Sequence, residues 1–222
     1  MNFFRQPIFL VFFVIALIIA VVWNFYSSKQ STSTPAATTQ QTASTTTDNT
    51  SAITNLTNLD PADFDSTLNQ YKSTADAKAL EVNKNYKLAT MIVEIDSTLQ
   101  PDGVNIRFVY NAGASSTDNW IISFSESSGN FIRSLIPSAD YLGNPKQLDT
   151  SLWKFNYVTA LQLAEKNGGL DFRNNNKDLT GITLTLHHTG PNNWLIWDTQ
   201  YTSQSSSFSV QIDANSGQKI AQ

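Results

Sequence analysis

Two stretches of this chain align without a gap over 13 positions: Trp120-Ile-Ile-Ser-Phe-Ser-Glu-Ser-Ser-Gly129-Asn-Phe-Ile132 and Phe208-Ser-Val-Gln-Ile-Asp-Ala-Asn-Ser-Gly217-Gln-Lys-Ile220. Each reads as an alternating strand, a Ser-Gly turn and an apolar residue three positions after the glycine. Working back from the match, the same order of elements occurs twice. The first copy has a helical pattern over Ala75 to Asn85, with Ala75, Ala79 and Val82 on one face and Ser73 or Thr74 as its cap. Three period-two runs follow it, Met91/Val93/Ile95, Val104/Ile106/Phe108/Tyr110 and Trp120/Ile122/Phe124. The second copy has a helix over Asn156 to Asn167, stopped by Gly168-Gly169. Its strands are Ile182/Leu184/Leu186, Trp194 to Tyr201 and Phe208/Val210/Ile212. The chain is thus expected to be α+β, built from two units of one helix followed by an antiparallel meander. The bland alternative is an α+β protein with two unrelated helix-plus-strands stretches. The ungapped match and the shared Lys-Asn endings, Lys84-Asn85 and Lys166-Asn167, favour duplication.

A further helix is expected ahead of the first copy. Asp60 stands at its cap, Pro61 at the first helical position and Asp63 three residues after the cap, with Phe64, Leu68 and Tyr71 on one face. The connector Pro137 to Thr150, with Gly143-Asn-Pro145, reads as a loop.

The amino-terminal part has a different composition. Of the first 26 residues 21 are hydrophobic, and Ile8 to Trp23 carries no charged or polar side chain. Residues 7–26 match the roughly 20 residues a helix needs to cross a bilayer, and Trp23, Phe25 and Tyr26 fall where the interface would lie. An uncleaved anchor is favoured over a cleaved signal peptide, because the run ends in bulky residues and the small-x-small candidates lie well past it. Arg5 on one side and an almost uncharged stretch on the other place the amino terminus in the cytoplasm and the remainder outside the cell membrane. From Ser27 to Ser51, 15 of 25 residues are Ser or Thr, too polar to offset backbone entropy by burial, so a disordered linker is expected. The expected organisation is a transmembrane signal anchor at 1–26, a linker at 27–57, a first unit with its leading helix at 58–137 and a second at 138–222.

The second copy carries a family likeness. Ala160-Leu-Gln-Leu-Ala164-Glu-Lys-Asn-Gly168, then Trp194-Leu-Ile-Trp197, then Val210-Gln-Ile-Asp213-Ala-Asn-Ser-Gly217-Gln-Lys-Ile220 resembles a PepSY domain over residues 153–222. Ser216 stands where that family's phrase usually has Thr. The first copy, residues 73–137, is similar to a lesser degree, since its phrase Ile122-Ser-Phe-Ser-Glu-Ser-Ser-Gly129-Asn-Phe-Ile132 lacks the Asp. The resemblance implies two small extracytoplasmic PepSY-like modules of a kind that binds or restrains peptidases or other envelope proteins.

Composition removes several chemistries. With no cysteine, thiol nucleophiles, disulfides and Cys-ligated zinc are impossible. The net charge of −4, without a basic block, argues against nucleic acid. His187 and His188 are sequence neighbours on a strand and point to opposite faces, so a two-His metal site is not expected. Asp171 to Asp178 suggests a calcium loop, but Arg173 holds a ligand position and the central glycine is missing. Asp60, Asp63 and Asp65 suit a helix start. The Asp213-to-Gly217 phrase is expected to be a structural turn. No HExxH, GxSxG or P-loop occurs, so no catalytic, metal or cofactor residues are assigned.

The expectation is a non-enzymatic, membrane-anchored extracytoplasmic binding protein whose partner is an envelope protein, a peptidase among the candidates. The alternative is a structural subunit of a pilus-like or secretion apparatus, against which the helix-poor residues 27–57 count. Trp194 and Trp197 face opposite sides of one strand, so one belongs to the core. Trp197 and Tyr201, sharing a face, are the expected partner-binding aromatics, with burial of Trp197 between sheet and helix as the competing outcome.

Overall fold

The computed structural model describes residues 61–125, 129–190 and 192–221, and of their side chains all but those of 61–65, 101 and 125. The expected anchor and linker, and Asp60, lie outside them. Helix α1 (Pro61–Val82) opens on the proline expected at its first position. It is one helix where the sequence suggested two. Thr74 does not cap a second helix; its Oγ1 bonds back to Gln70 O at 3.0 Å, a local bond that leaves the helix uninterrupted. The i,i+4 pair Lys72–Asp76 and the i,i+3 pair Lys78–Glu81 support the same run. Leu68, Ala75 and Ala79 face the core with Tyr71 beside them, while Val82 at the helix end is exposed.

Seven strands follow in one antiparallel sheet: β1 (Lys87–Asp96), β2 (Val104–Asn111), β3 (Asp118–Ser125), β4 (Phe131–Pro137), β5 (Leu179–Thr189), β6 (Trp194–Ser203) and β7 (Ser207–Asp213). Their order is β4-β3-β2-β1-β5-β6-β7. Two meanders therefore run outward from a central β1–β5 pair, in which Met91, Val93 and Ile95 lie opposite Leu186, Leu184 and Ile182. On β2, Tyr110 lies between Leu88 and Trp120. On β6, Tyr201 lies between Ile182 and Phe208. Trp120 and Phe208 thus each occupy the third strand out from the centre, on the helix-covered face.

Strand β4 goes beyond the sequence reading, in which Trp120/Ile122/Phe124 was the last strand of the first unit. Almost all of its residues are exposed, so no alternation betrayed it.

Helix α2 (Tyr157–Ala164) is capped by Asn156, whose side chain accepts from Thr159 N at 2.9 Å. It passes into a wide π-type turn, Glu165–Gly169, in which Gly168 has φ 118°, and resumes as α3 (Leu170–Asn175). The two glycines interrupt the helix without ending it, because Gly169 returns to helical angles. Asp171 and Arg173 accordingly stand on a helix and not in a calcium-type loop.

α1 lies over β1–β3, and α2 over β6 and β7. One apolar core runs beneath both, from Phe124 and Tyr110 through Met91 and Leu184 to Trp197 and Val210. Burying each such side chain contributes roughly 1.5–3 kcal/mol. On the opposite face, Ile92, Val109 and Ile121 form a smaller cluster covered by Ile136 and Tyr141. The connector after β4 is a loop, as expected, but one tied down by side chains. Asn119 Nδ2 donates to Tyr141 O at 2.7 Å and Gly143 O at 3.1 Å, and Gln147 Nε2 to Asn111 O at 3.0 Å.

Candidate functional site

The turn singled out at Asp213 is structural. Its Oδ1 accepts from Asn215 N at 2.9 Å, Ser216 N at 2.6 Å and Ser216 Oγ at 3.0 Å, with Gly217 at φ 74°. The aligned Gly129 has φ 63°. A glycine reaches these left-handed angles without the Cβ penalty.

The two aromatics expected at a partner surface lie in the core. Trp197 and Tyr201 are both 0% exposed. Trp197 packs edge-on to Trp153, with ring centroids 6.2 Å apart, and donates from Nε1 to Phe155 O at 3.2 Å. The expectation that they are exposed anchors is corrected. The residues between β4 and α2, Trp153 and Phe155 among them, fold over that face of β6, which strand alternation alone could not reveal. Trp194, on the other face, is 44% exposed.

Tyr201 ends in a buried polar group. Its hydroxyl donates to Glu165 Oε1 at 2.8 Å, and Arg173 Nε donates to the same carboxylate at 3.1 and 3.2 Å. Burial, then the Glu165 charge, pushes the Tyr201 pKa well above the ordinary tyrosine value. The other half of the sheet has a matching group. Tyr110 donates to Asp76 Oδ1 at 2.7 Å, and Asp76 pairs with Lys72 at 2.6 Å. Burial, followed by the Asp76 charge, raises Tyr110 in the same direction. In each group the carboxylate directly follows a fully buried alanine, Ala75-Asp76 and Ala164-Glu165. That shared pair is the sequence signal for both groups, and apolar periodicity does not show it because the carboxylate is not one of the apolar residues.

His188 also has a structural place. Its Nε2 accepts from Asp149 N at 3.0 Å, so Nδ1 carries the hydrogen and donates to Asn193 O at 2.9 Å. His187 Nδ1 lies 3.2 Å from His188 O. Among the described residues, no three His, Asp or Glu side chains group as metal ligands would.

Among the described residues two clefts meet at Lys72. One, about 290 Å³, lies between α1 and the start of β1, with Asp76, Tyr86, Lys87, Leu88, Tyr110 and Leu148 in its walls. The other, about 340 Å³, lies between α1 and the segment before α2, walled by Leu68, Asn69, Trp153, Lys154, Phe155 and Asn156. Lys87 and Lys154 are exposed. Of these residues Leu68, Tyr110 and Asn156 stood out in the sequence, but only as parts of their own helix or strand, because the cleft is made by segments about 80 residues apart.

No family model and no curated protein matches the chain. Among solved structures it is similar to one described as a putative lipoprotein from Clostridium difficile 630, at 8% identity, covering 68% of this chain and 90% of that one, with a TM-score of 0.44.

Proposed function

We propose that this chain is a non-enzymatic binding protein of the cell envelope, anchored by residues 7–26 and carrying two PepSY-like modules outside the membrane on a Ser/Thr-rich linker. Its partner is an envelope protein, with a peptidase as the leading candidate class. The observation that carries the reading is the pair of clefts at Lys72. They are lined by lysines, amides and aromatics suited to holding a polypeptide. The ionisable groups nearest to chemistry, Glu165, Arg173, Asp76 and His188, are meanwhile held in structural hydrogen bonds. The two-module part is supported by the matching Tyr110/Asp76/Lys72 and Tyr201/Glu165/Arg173 groups and by the matching positions of Trp120 and Phe208.

The test uses the full chain in its own membranes with a photo-crosslinking side chain in place of Lys154. A specific adduct is expected, lost when Lys154→Glu is combined with a crosslinker at Asn69. The same adducts from Gln200, on the polar face of the sheet, would overturn the cleft as the site. If the adduct is a peptidase, the protein should slow its hydrolysis of a peptide. External protease on intact cells should remove the folded region, and a protected chain would overturn the topology.

The alternative, a structural subunit of a larger apparatus, is favoured by one feature: the apolar outer edge of β4.

A further inference from the structure

The two outer strands of the sheet are finished differently. Beyond β7 the chain returns on itself: Ile220 N donates to Gln211 O at 2.9 Å, Asp213 N donates to Gln218 O at 2.8 Å, and Ile212 bridges Lys219. No described strand pairs with the outer side of β4. Ser138 N donates to Thr117 O at 2.7 Å, which continues the β3–β4 register. The even-numbered residues of β4 therefore bond inward to β3, and the N–H groups of Phe131, Arg133 and Leu135 point outward. Pro137, which has no N–H, takes the last outward position. Along this edge Phe131, Ile132 and Leu135 are 39%, 75% and 51% exposed. Proteins ordinarily blunt such an edge with charge, a bulge or a cover, and here Arg133 is the one charged residue of the strand.

We propose that the β4 edge pairs antiparallel with the β4 edge of a second copy of this chain, about a two-fold axis at Ser134. In that register Arg133 and Leu135 exchange backbone hydrogen bonds with the partner's Leu135 and Arg133. Ile132 lies opposite the partner's Ile136. Ile136 already packs on the cluster of Ile92, Val109 and Ile121, so Ile132 from the second copy extends an existing apolar surface. A register centred on Arg133 sets two guanidinium groups face to face. One centred on Leu135 leaves Ile132 opposite Ser138. A two-fold contact uses the same edge of both copies, so pairing ends at a closed dimer without propagating into a filament.

The chain has no cysteine, so a single introduced thiol reports the axis directly. Facing residues of a non-hydrogen-bonded antiparallel pair have Cα atoms about 4.5 Å apart, within disulfide reach. Ser134→Cys in the full-length chain is expected to give a disulfide-linked dimer on mild oxidation, and Lys219→Cys at the covered edge is not. Sedimentation of the unmodified protein should give the mass of two chains. Ile132→Asp, at a position already 75% exposed, should give the mass of one with an unchanged melt. A one-chain mass for the unmodified protein, equal crosslinking at both cysteines, a Ser134→Cys adduct with a different protein, or a two-chain mass that survives Ile132→Asp would each overturn the proposal. None of these readouts involves the Lys72 clefts, so the dimer and the partner-binding reading fail separately.

Discussion

The hydroxyl of Tyr201 reaches across 36 residues of sequence to Oε1 of Glu165, 2.8 Å away, at the point where α2 widens into its π-type turn. The bond ties β6, the middle strand of the second meander, to the helix above it. Removing the hydroxyl with Tyr201→Phe takes one donor from a nearly buried carboxylate and should cost about 1–3 kcal/mol of stability. Tyr110→Phe should cost less. Its carboxylate partner Asp76 is 37% exposed where Glu165 is 11%, and water replaces the lost donor there. Denaturant unfolding of the two variants checks the order as well as the size.

Arg173 and Glu165 form the most buried ion pair among the described residues, at 3% and 11% side-chain exposure. Arg173→Met strands the carboxylate and should destabilise by about 3–5 kcal/mol. Adding Glu165→Gln should recover part of that loss, because the charge left unpaired is gone. A double-mutant cycle in urea measures both.

Trp197→Ala empties a fully buried site beneath the segment that precedes α2. The expected cost is about 3–5 kcal/mol, seen as a large fall in melting midpoint. An unchanged melt would return Trp197 to the surface.

Gly169 leaves no room for a side chain, since a Cβ there would fall on the ring and hydroxyl of Tyr201. Its backbone angles are ordinary, φ −60° and ψ −44°, so the penalty for Gly169→Ala is steric alone. A loss of about 1–3 kcal/mol is expected, together with a changed Tyr201 environment in near-ultraviolet circular dichroism.

The carboxylate of Asp149 accepts from Ser151 Oγ at 2.6 Å and Ser151 N at 3.0 Å, and these bonds, with His188 nearby, hold its pKa below the ordinary value of 3.8. A depressed folded pKa gives stability that is present above the unfolded value and is lost as pH falls through the folded one. Carbon-detected titration should find Asp149 ionised below the pH at which free aspartate protonates, and Ser151→Ala should move it back up. Tyr201 and Tyr110 shift the other way. Their raised values give stability that is complete below about pH 10, the unfolded tyrosine value, and falls away above it. Ultraviolet titration should show these two ionising only as the protein unfolds in alkali.

Alternation along Met91–Ile95, Val104–Tyr110, Trp120–Phe124, Ile182–Leu186 and Phe208–Ile212 was enough to place five strands and their buried faces, because a period of two leaves one choice of inward side. The Asp213 turn and the Asn156 cap were equally local: a side chain satisfies backbone groups two or three residues away, so the sequence holds the whole interaction. Other features belonged to contacts between distant segments. Whether Trp197 or Trp194 met solvent depended on the segment carrying Trp153 and Phe155, about 40 residues earlier, and only packing could decide it. The clefts at Lys72 arise where α1 meets the chain before α2, and the local patterns of Leu68 and Tyr110 give no sign that they share a cleft with residues from a distant segment. β4 escaped notice because a strand open on its outer edge need not alternate, and its place at the rim was set by the pairing of the six other strands.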